Sequence, residues 1–139
     1  MKKKALVVVL CLISGTAFAF TAKQAQHGKQ LYAEQCAMCH GSKGQGGTVP
    51  DAVPGFGGMS APGLMGSGAL DTMRTAENYY SFIKATMPLQ SPGSLTKSDY
   101  LDIIAYTLEQ NKMAKPDMTP LTVENAKKVK ISSNEGDNS

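Results

Sequence analysis

Apolar residues recur at helical spacing in three stretches of the chain. In the first, residues 21–35, Ala25, Gly28, Leu31 and Tyr32 share one face of a predicted helix, with Thr21 placed to cap it. Gly28 inside a helix costs about 1 kcal/mol relative to alanine, so it points to a second helix crossing closely. The second stretch, residues 76–85, follows the capping residue Thr75, and Tyr79, Phe82 and Ile83 give it a predicted buried face. Met87-Pro88 ends it, because the residue before a proline is pushed out of helical geometry, and Ser91-Pro92-Gly93 makes a turn. The third stretch opens with Thr96-Lys97-Ser98-Asp99, a capping box with Asp in place of Glu. Tyr100, Ile103, Ile104 and Leu108 form its stripe, with Ala105 and Tyr106 alongside. Lys112 near its end suits the helix dipole, and Pro116 stops any continuation.

Between these stretches the pattern is different. Residues 41–71 are rich in glycine, carry Pro50, Pro54 and Pro62, and show no helical or strand period. A loop of that length in a compact domain must wrap something other than an ordinary core. Met59, Leu64 and Met65 are its expected apolar anchors. Beyond Met113 the pattern weakens. Leu121, Val123, Val129 and Ile131 suit a surface wrap or a short helix over 123–130, and residues 132–139 read as disordered. The uninterrupted apolar run, residues 5–13, stands behind Lys2, Lys3 and Lys4 and ahead of Ala17-Phe18-Ala19. That is the grammar of a secretory signal cut after Ala19. The run is too short to span a bilayer comfortably. Cys11 follows Leu10, where a lipidation site wants a small residue. The expected organisation is a signal over 1–19, one domain over 20–112, and a partly disordered extension over 113–139.

Removing the signal changes the charge. The chain has 14 basic and 11 acidic residues, and without Lys2, Lys3 and Lys4 the two signs balance. Nucleic-acid binding, which wants a clustered basic face, is not expected. With 6% aromatics and no Trp, the chain is also poor in large core residues. A bound apolar group would supply a centre.

The chemistry sits in Cys36-Ala37-Met38-Cys39-His40, a C-x-x-C-H run. This is the attachment sequence for c-type haem. Two thiols at this spacing can each add to one vinyl group of a haem, and the following imidazole can then bind the iron. A redox dithiol is an alternative, but it needs a βαβ setting that the pattern lacks. Half of a zinc site is another, but the exported chain offers only Cys36, Cys39, His40 and His27 toward four ligands. His27 reads as a surface histidine. Export agrees with the motif, since two thiols left free in an oxidising compartment would otherwise pair.

Residues 22–111 resemble the class I c-type cytochromes, small monohaem electron carriers. The resemblance rests on Gly28-x-x-x-Tyr32-x-x-x-Cys36, on Asp102-Ile103-Ile104-Ala105-Tyr106, and on Ala61-Pro62-Gly63-Leu64-Met65-Gly66. It implies an all-α cytochrome c fold, three to four helices wrapped around one covalently bound haem with a long glycine-rich loop. It implies that the first and last helices cross with Gly28 against Tyr106 and its neighbours. It implies that the Pro62 carbonyl accepts a hydrogen bond from His40, that Leu64 packs on the haem, and that Met87 is the sixth iron ligand. Met73 and Met65 are the second choices for that ligand.

The function this implies is periplasmic single-electron transfer by one haem c with His40 and Met87 as axial ligands, Cys36 and Cys39 as tethers, and no catalysis of its own. Donors would be a membrane complex or a periplasmic dehydrogenase, and acceptors an oxidase or reductase, without a membrane anchor. One alternative is a haem subunit dedicated to a dehydrogenase, with the tail after Met113 as its docking strap. Another is a pentacoordinate haem that binds small ligands.

Overall fold

The computed structural model describes residues 18–132. Most of the expected signal, and the tail end read as disordered, lie outside the described residues. Among the described residues, five α-helical segments carry the fold, with a 3-10 turn at Asp71–Met73 and two small two-stranded sheets. The first helix, α1, is Ala22–Gln35. Thr21 accepts from the Gln24 amide while the Gln24 side chain reaches back to the Thr21 amide, so two orphan donors are satisfied at once. A single turn, α2 (Ala37–His40), follows it. The third, α3, is Ala76–Thr86, capped by Thr75. The long α4, Lys97–Gln110, starts with the Thr96–Asp99 capping box. Another single turn, α5 (Val123–Ala126), lies in the tail.

Helices α1 and α4 cross at Gly28. A Cβ there would run into the backbone carbonyl of Asp102, which explains the glycine inside a helix. The crossing is one turn earlier in α4 than the resemblance implies. Tyr106 instead meets the Tyr32 ring, with centroids 5.5 Å apart and planes tilted by 55°. Beside the crossing, His27 Nδ1 lies 2.8 Å from Oδ2 of the buried Asp102. His27 is exposed, as expected, and its ring also partners a buried carboxylate.

The core gathers around α4. Phe20, Tyr79, Tyr100, Ile104 and Leu108 are almost fully enclosed. On α3 the buried stripe is Ala76, Tyr79, Tyr80 and Ile83. Phe82, expected in the buried face, is 49% exposed. Counted from Ala76, the stripe follows i, i+3, i+4, i+7, which leaves Phe82 at its edge.

The tail corrects the sequence reading. Met113, Ala114, Leu121, Ala126, Val129 and Ile131 belong to the main core rather than to a surface wrap. Strand β4 (Lys115–Asp117) pairs in parallel with β1 (Phe18–Thr21). Gln24 grips the Leu121 backbone at both its amide and its carbonyl. Strand β1 begins at Phe18, two residues before the expected start of the exported chain, and Ala19 is buried.

The glycine-rich loop has structure of its own. Strands β2 (Gly47–Thr48) and β3 (Ser60–Ala61) pair antiparallel. Val49, Val53 and Ala61 form a small separate core against which Cys39 and Leu89 pack. Met59, expected as an anchor, is 54% exposed. Compact valine and alanine side chains fill this narrow space, and the longer thioether is left outside.

Candidate haem site

The end of α1 delivers Cys36, the residue that caps it, whose amide donates to the Tyr32 carbonyl before the separate turn α2 begins. Cys39 and His40 follow on that turn, and Gly41, with φ of 85°, takes the chain away from it. Tyr32 secures the turn from below, its hydroxyl donating to the Gly41 carbonyl at 2.8 Å.

His40 is buried. Its Nδ1 lies 2.7 Å from the Pro62 carbonyl oxygen. A carbonyl can only accept, so Nδ1 carries the proton and Nε2 keeps the lone pair that a metal would take. The Pro62 loop is itself fixed. Leu64 and Met65 amides both donate to the Gly44 carbonyl. Asn111, at the end of α4, donates to the Leu64 carbonyl at 2.9 Å and accepts from the Gly66 amide at 2.9 Å. Asn111 has no counterpart in the sequence reading, where it is one polar residue after a helix.

Met87 stands in extended backbone just past α3. Its amide donates to Ile83 and its carbonyl accepts from the Tyr100 hydroxyl at 2.7 Å. Tyr100 was read only as part of the apolar stripe of α4, yet it spans from that helix to the Met87 segment.

These parts converge on one cleft of about 240 Å³. Cys36, Cys39, His40 and Met87 all line it, with Val49, Ala61, Pro62, Leu64, Tyr79, Ile83 and Leu95. Of the other methionines weighed as ligands, Met65 and Met73 do not line it, and Met73 packs on the main core. His27, at the α1–α4 crossing, is also absent from the lining.

Cys36 and Cys39 are not joined in a disulfide. Burial, then the neighbouring Cys39, pushes the Cys36 thiol up to about 11. A redox dithiol needs the opposite, a thiolate stabilised near neutral pH. Among the described residues no group of three or more His, Cys, Asp or Glu side chains is arranged to hold a metal ion. The donor set therefore suits iron brought in by a porphyrin: two thiols, one imidazole with a free Nε2, one thioether, and apolar walls.

Comparison with known proteins agrees. The family model described as cytochrome C oxidase, cbb3-type, subunit III matches residues 23–106. The chain belongs to this family of c-type cytochromes. Its cofactor is covalently bound haem c with iron, and its fold is the mostly helical cytochrome c fold. The cytochrome is 35% identical over 114 residues to a thiosulfate dehydrogenase of Stutzerimonas stutzeri (strain A1501), covering 80% of this chain and 35% of that protein. It is 34% identical over 80 residues to a thiosulfate dehydrogenase of Psychrobacter arcticus (strain DSM 17307 / VKM B-2377 / 273-4), covering 58% of this chain and 24% of that protein. The cytochrome thus spans about a third of the first relative and a quarter of the second. Its fold is similar to that of a chain in the crystal structure of the sulfane dehydrogenase SoxCD from Paracoccus pantotrophus. The TM-score is 0.54 at 24% identity, over 99% of this chain and 70% of that one. Among the described residues, no helix is long and apolar enough to cross a membrane.

Proposed function

We propose that this cytochrome is an exported, periplasmic single-electron carrier. Cys36 and Cys39 would tether the haem, and His40 and Met87 would hold its iron. The observation that carries the reading is the convergence of these four side chains on one apolar cleft. When bound, the haem supplies a one-electron couple, and a His/Met pair raises its potential. The chain's own residues do the rest. Pro62 fixes the tautomer of His40 and increases the basicity of its Nε2. Tyr100 holds the backbone that presents Met87. Leu64 and the other apolar walls exclude water from the ring. The signal over residues 1–19 belongs to the same reading and takes the chain to the compartment where c-type haem is attached.

The test is direct. Intact mass and the visible spectrum of the purified protein should show one haem that denaturation does not remove, and Cys36→Ala with Cys39→Ala should abolish it. Met87→Ala should remove the methionine–iron charge-transfer band of the oxidised protein and lower its potential. An unchanged spectrum would move the sixth ligand elsewhere. Rapid carbon monoxide binding by the wild-type ferrous protein would instead favour an open, pentacoordinate haem.

The thiosulfate dehydrogenase relatives favour a second reading, in which the chain is a haem subunit that accepts electrons from a dehydrogenase. A stable complex on isolation supports it. Its docking strap would not be the apolar tail after Met113, because those side chains are spent on the chain's own core. Thiosulfate added to the oxidised protein alone discriminates both readings from an enzyme, since neither a carrier nor a subunit is reduced by it.

A further inference from the structure

Asparagine at a helix end is commonly there to take a left-handed conformation. Asn111, which caps α4, has φ of −82°, and the left-handed residue is its neighbour Lys112, with φ of 56°. The stop therefore does not need an asparagine. Its carboxamide is engaged elsewhere. Nδ2 donates to the Thr107 carbonyl at 2.8 Å, which fixes the side chain against its own helix, and to the Leu64 carbonyl at 2.9 Å. Oδ1 accepts from the Gly66 amide at 2.9 Å. Both donor hydrogens and the acceptor of the amide are thus in use. Two of the three bonds reach a loop 45 and 47 residues back in the chain.

That loop carries the Pro62 carbonyl against which His40 Nδ1 rests. Other holds on it come from close to His40 itself. The Leu64 and Met65 amides donate to Gly44, and β3 pairs with β2, the strand at Gly47–Thr48. Those supports belong to the same stretch of chain as His40 and move with it. Asn111 ties the loop to α4. The same helix carries Tyr100, whose hydroxyl holds the Met87 carbonyl at 2.7 Å. Asn111 lies about three turns further along. One rigid helix grips the backbone behind both proposed axial ligands.

We propose that Asn111 is a positioning residue for the haem iron: it holds the Pro62 carbonyl at the His40 ring and so sets how far the imidazole is polarised toward its ligating nitrogen. The proposal rests on the haem-carrier reading. An imidazole whose Nδ1 proton is firmly held is the more basic ligand through Nε2, which favours ferric iron. A slackened bond favours ferrous iron. Loss of the clamp therefore raises the potential, whereas loss of a methionine ligand lowers it.

The test uses the full haem-loaded protein. Asn111→Leu keeps the side-chain shape and removes all three bonds. At equilibrium with a fixed redox dye its ferrous-to-ferric ratio should rise by about threefold, with the methionine–iron band unchanged. Exchange of the His40 Nδ1 proton for deuterium, followed by NMR in the ferrous state, should quicken by about fivefold or more. Gln24→Leu is the control, since it removes the two bonds to Leu121 and loosens the fold elsewhere. It should lower the urea midpoint and leave both haem readouts unchanged. If Asn111→Leu does not fold, Asn111→Asp keeps the acceptor and loses the donors to Leu64 and Thr107, and the exchange rate decides. A lowered urea midpoint with unmoved potential and exchange overturns the proposal, because a helix stop alone accounts for it. Equal shifts in Asn111→Leu and Gln24→Leu overturn it too, as does a potential that falls together with the methionine–iron band. A protein without covalent haem overturns the carrier reading. Covalent haem with unmoved readouts overturns the positioning role alone.

Discussion

Tyr100 is the residue through which α4 reaches the proposed iron ligand. Its ring is buried and its hydroxyl donates to the Met87 carbonyl. Tyr100→Phe keeps the ring and removes the shorter of two hydrogen bonds to that carbonyl, leaving the Gly93 amide at 3.4 Å. The expected cost is about 0.5–1.5 kcal/mol in stability, read by urea unfolding. The methionine–iron band should weaken and external imidazole should bind more readily, changes that a purely structural tyrosine would not produce. Tyr79 answers to pH. Burial pushes its phenol up to about 12 from an ordinary 10.0. Below pH 10 the folded and unfolded chains both keep the proton, so it makes no difference. Above that the unfolded chain ionises first, and stability falls until the folded phenol follows near pH 12. The loss approaches about 3 kcal/mol. Urea midpoints between pH 9 and pH 12 should show this slope, and Tyr79→Phe should remove Tyr79's share of it. At this scale the sequence was partly readable. Cys36, Cys39 and His40 are neighbours in the chain, so their joint chemistry is visible without a fold. Pro62 and Met87 joined them only through resemblance. Tyr100 and Asn111 could not be picked out, because the carbonyls they hold are distant in sequence and become neighbours only once α4 has docked.

Between elements, the α1–α4 crossing is the contact that fixes the helix ending at Cys36. The Asp102 carbonyl that a Cβ on Gly28 would strike is backbone inside a helix and has no rotamer by which to step aside. Gly28→Ala should therefore cost about 1–3 kcal/mol or more, despite alanine's better helix propensity. Thermal unfolding would show it as a lowered midpoint. Helix positions were legible because Thr21, Thr75 and Thr96 each bind an amide three residues on, a local device. The crossing point was one turn off because periodicity gives the face of a helix but not its axial register against another. Phe82 was placed in the buried face, where Tyr80 stands instead, for a related reason. Both are large aromatics two residues apart, and only the packed partner decides which of them is enclosed.

At the scale of the molecule, the tail is part of the core. Leu121, Val129 and Ile131 are buried, and β4 completes a sheet with β1. Each of those side chains is worth about 1.5–3 kcal/mol when enclosed, so their joint loss approaches the whole stability of a small domain. A chain truncated after Lys112 should lose its cooperative unfolding transition, followed by circular dichroism during heating. Sequence reading assigned this segment to the surface because its apolar residues occur singly, among prolines and lysines, with no period to declare a face. The loop over residues 41–71 was read as a wrap around the cleft, but its miniature core was not foreseen, being made of scattered valines and an alanine.

The grip of Gln24 on Leu121 joins residues 97 positions apart. Its consequence is one of timing. While the polypeptide is made from its N-terminus, α1 lacks this fastening until residue 121 has been added. Cys36 and Cys39 come long before it in the chain, on a helix not yet clasped. The two sulfurs are therefore open to a porphyrin before the clasp can close.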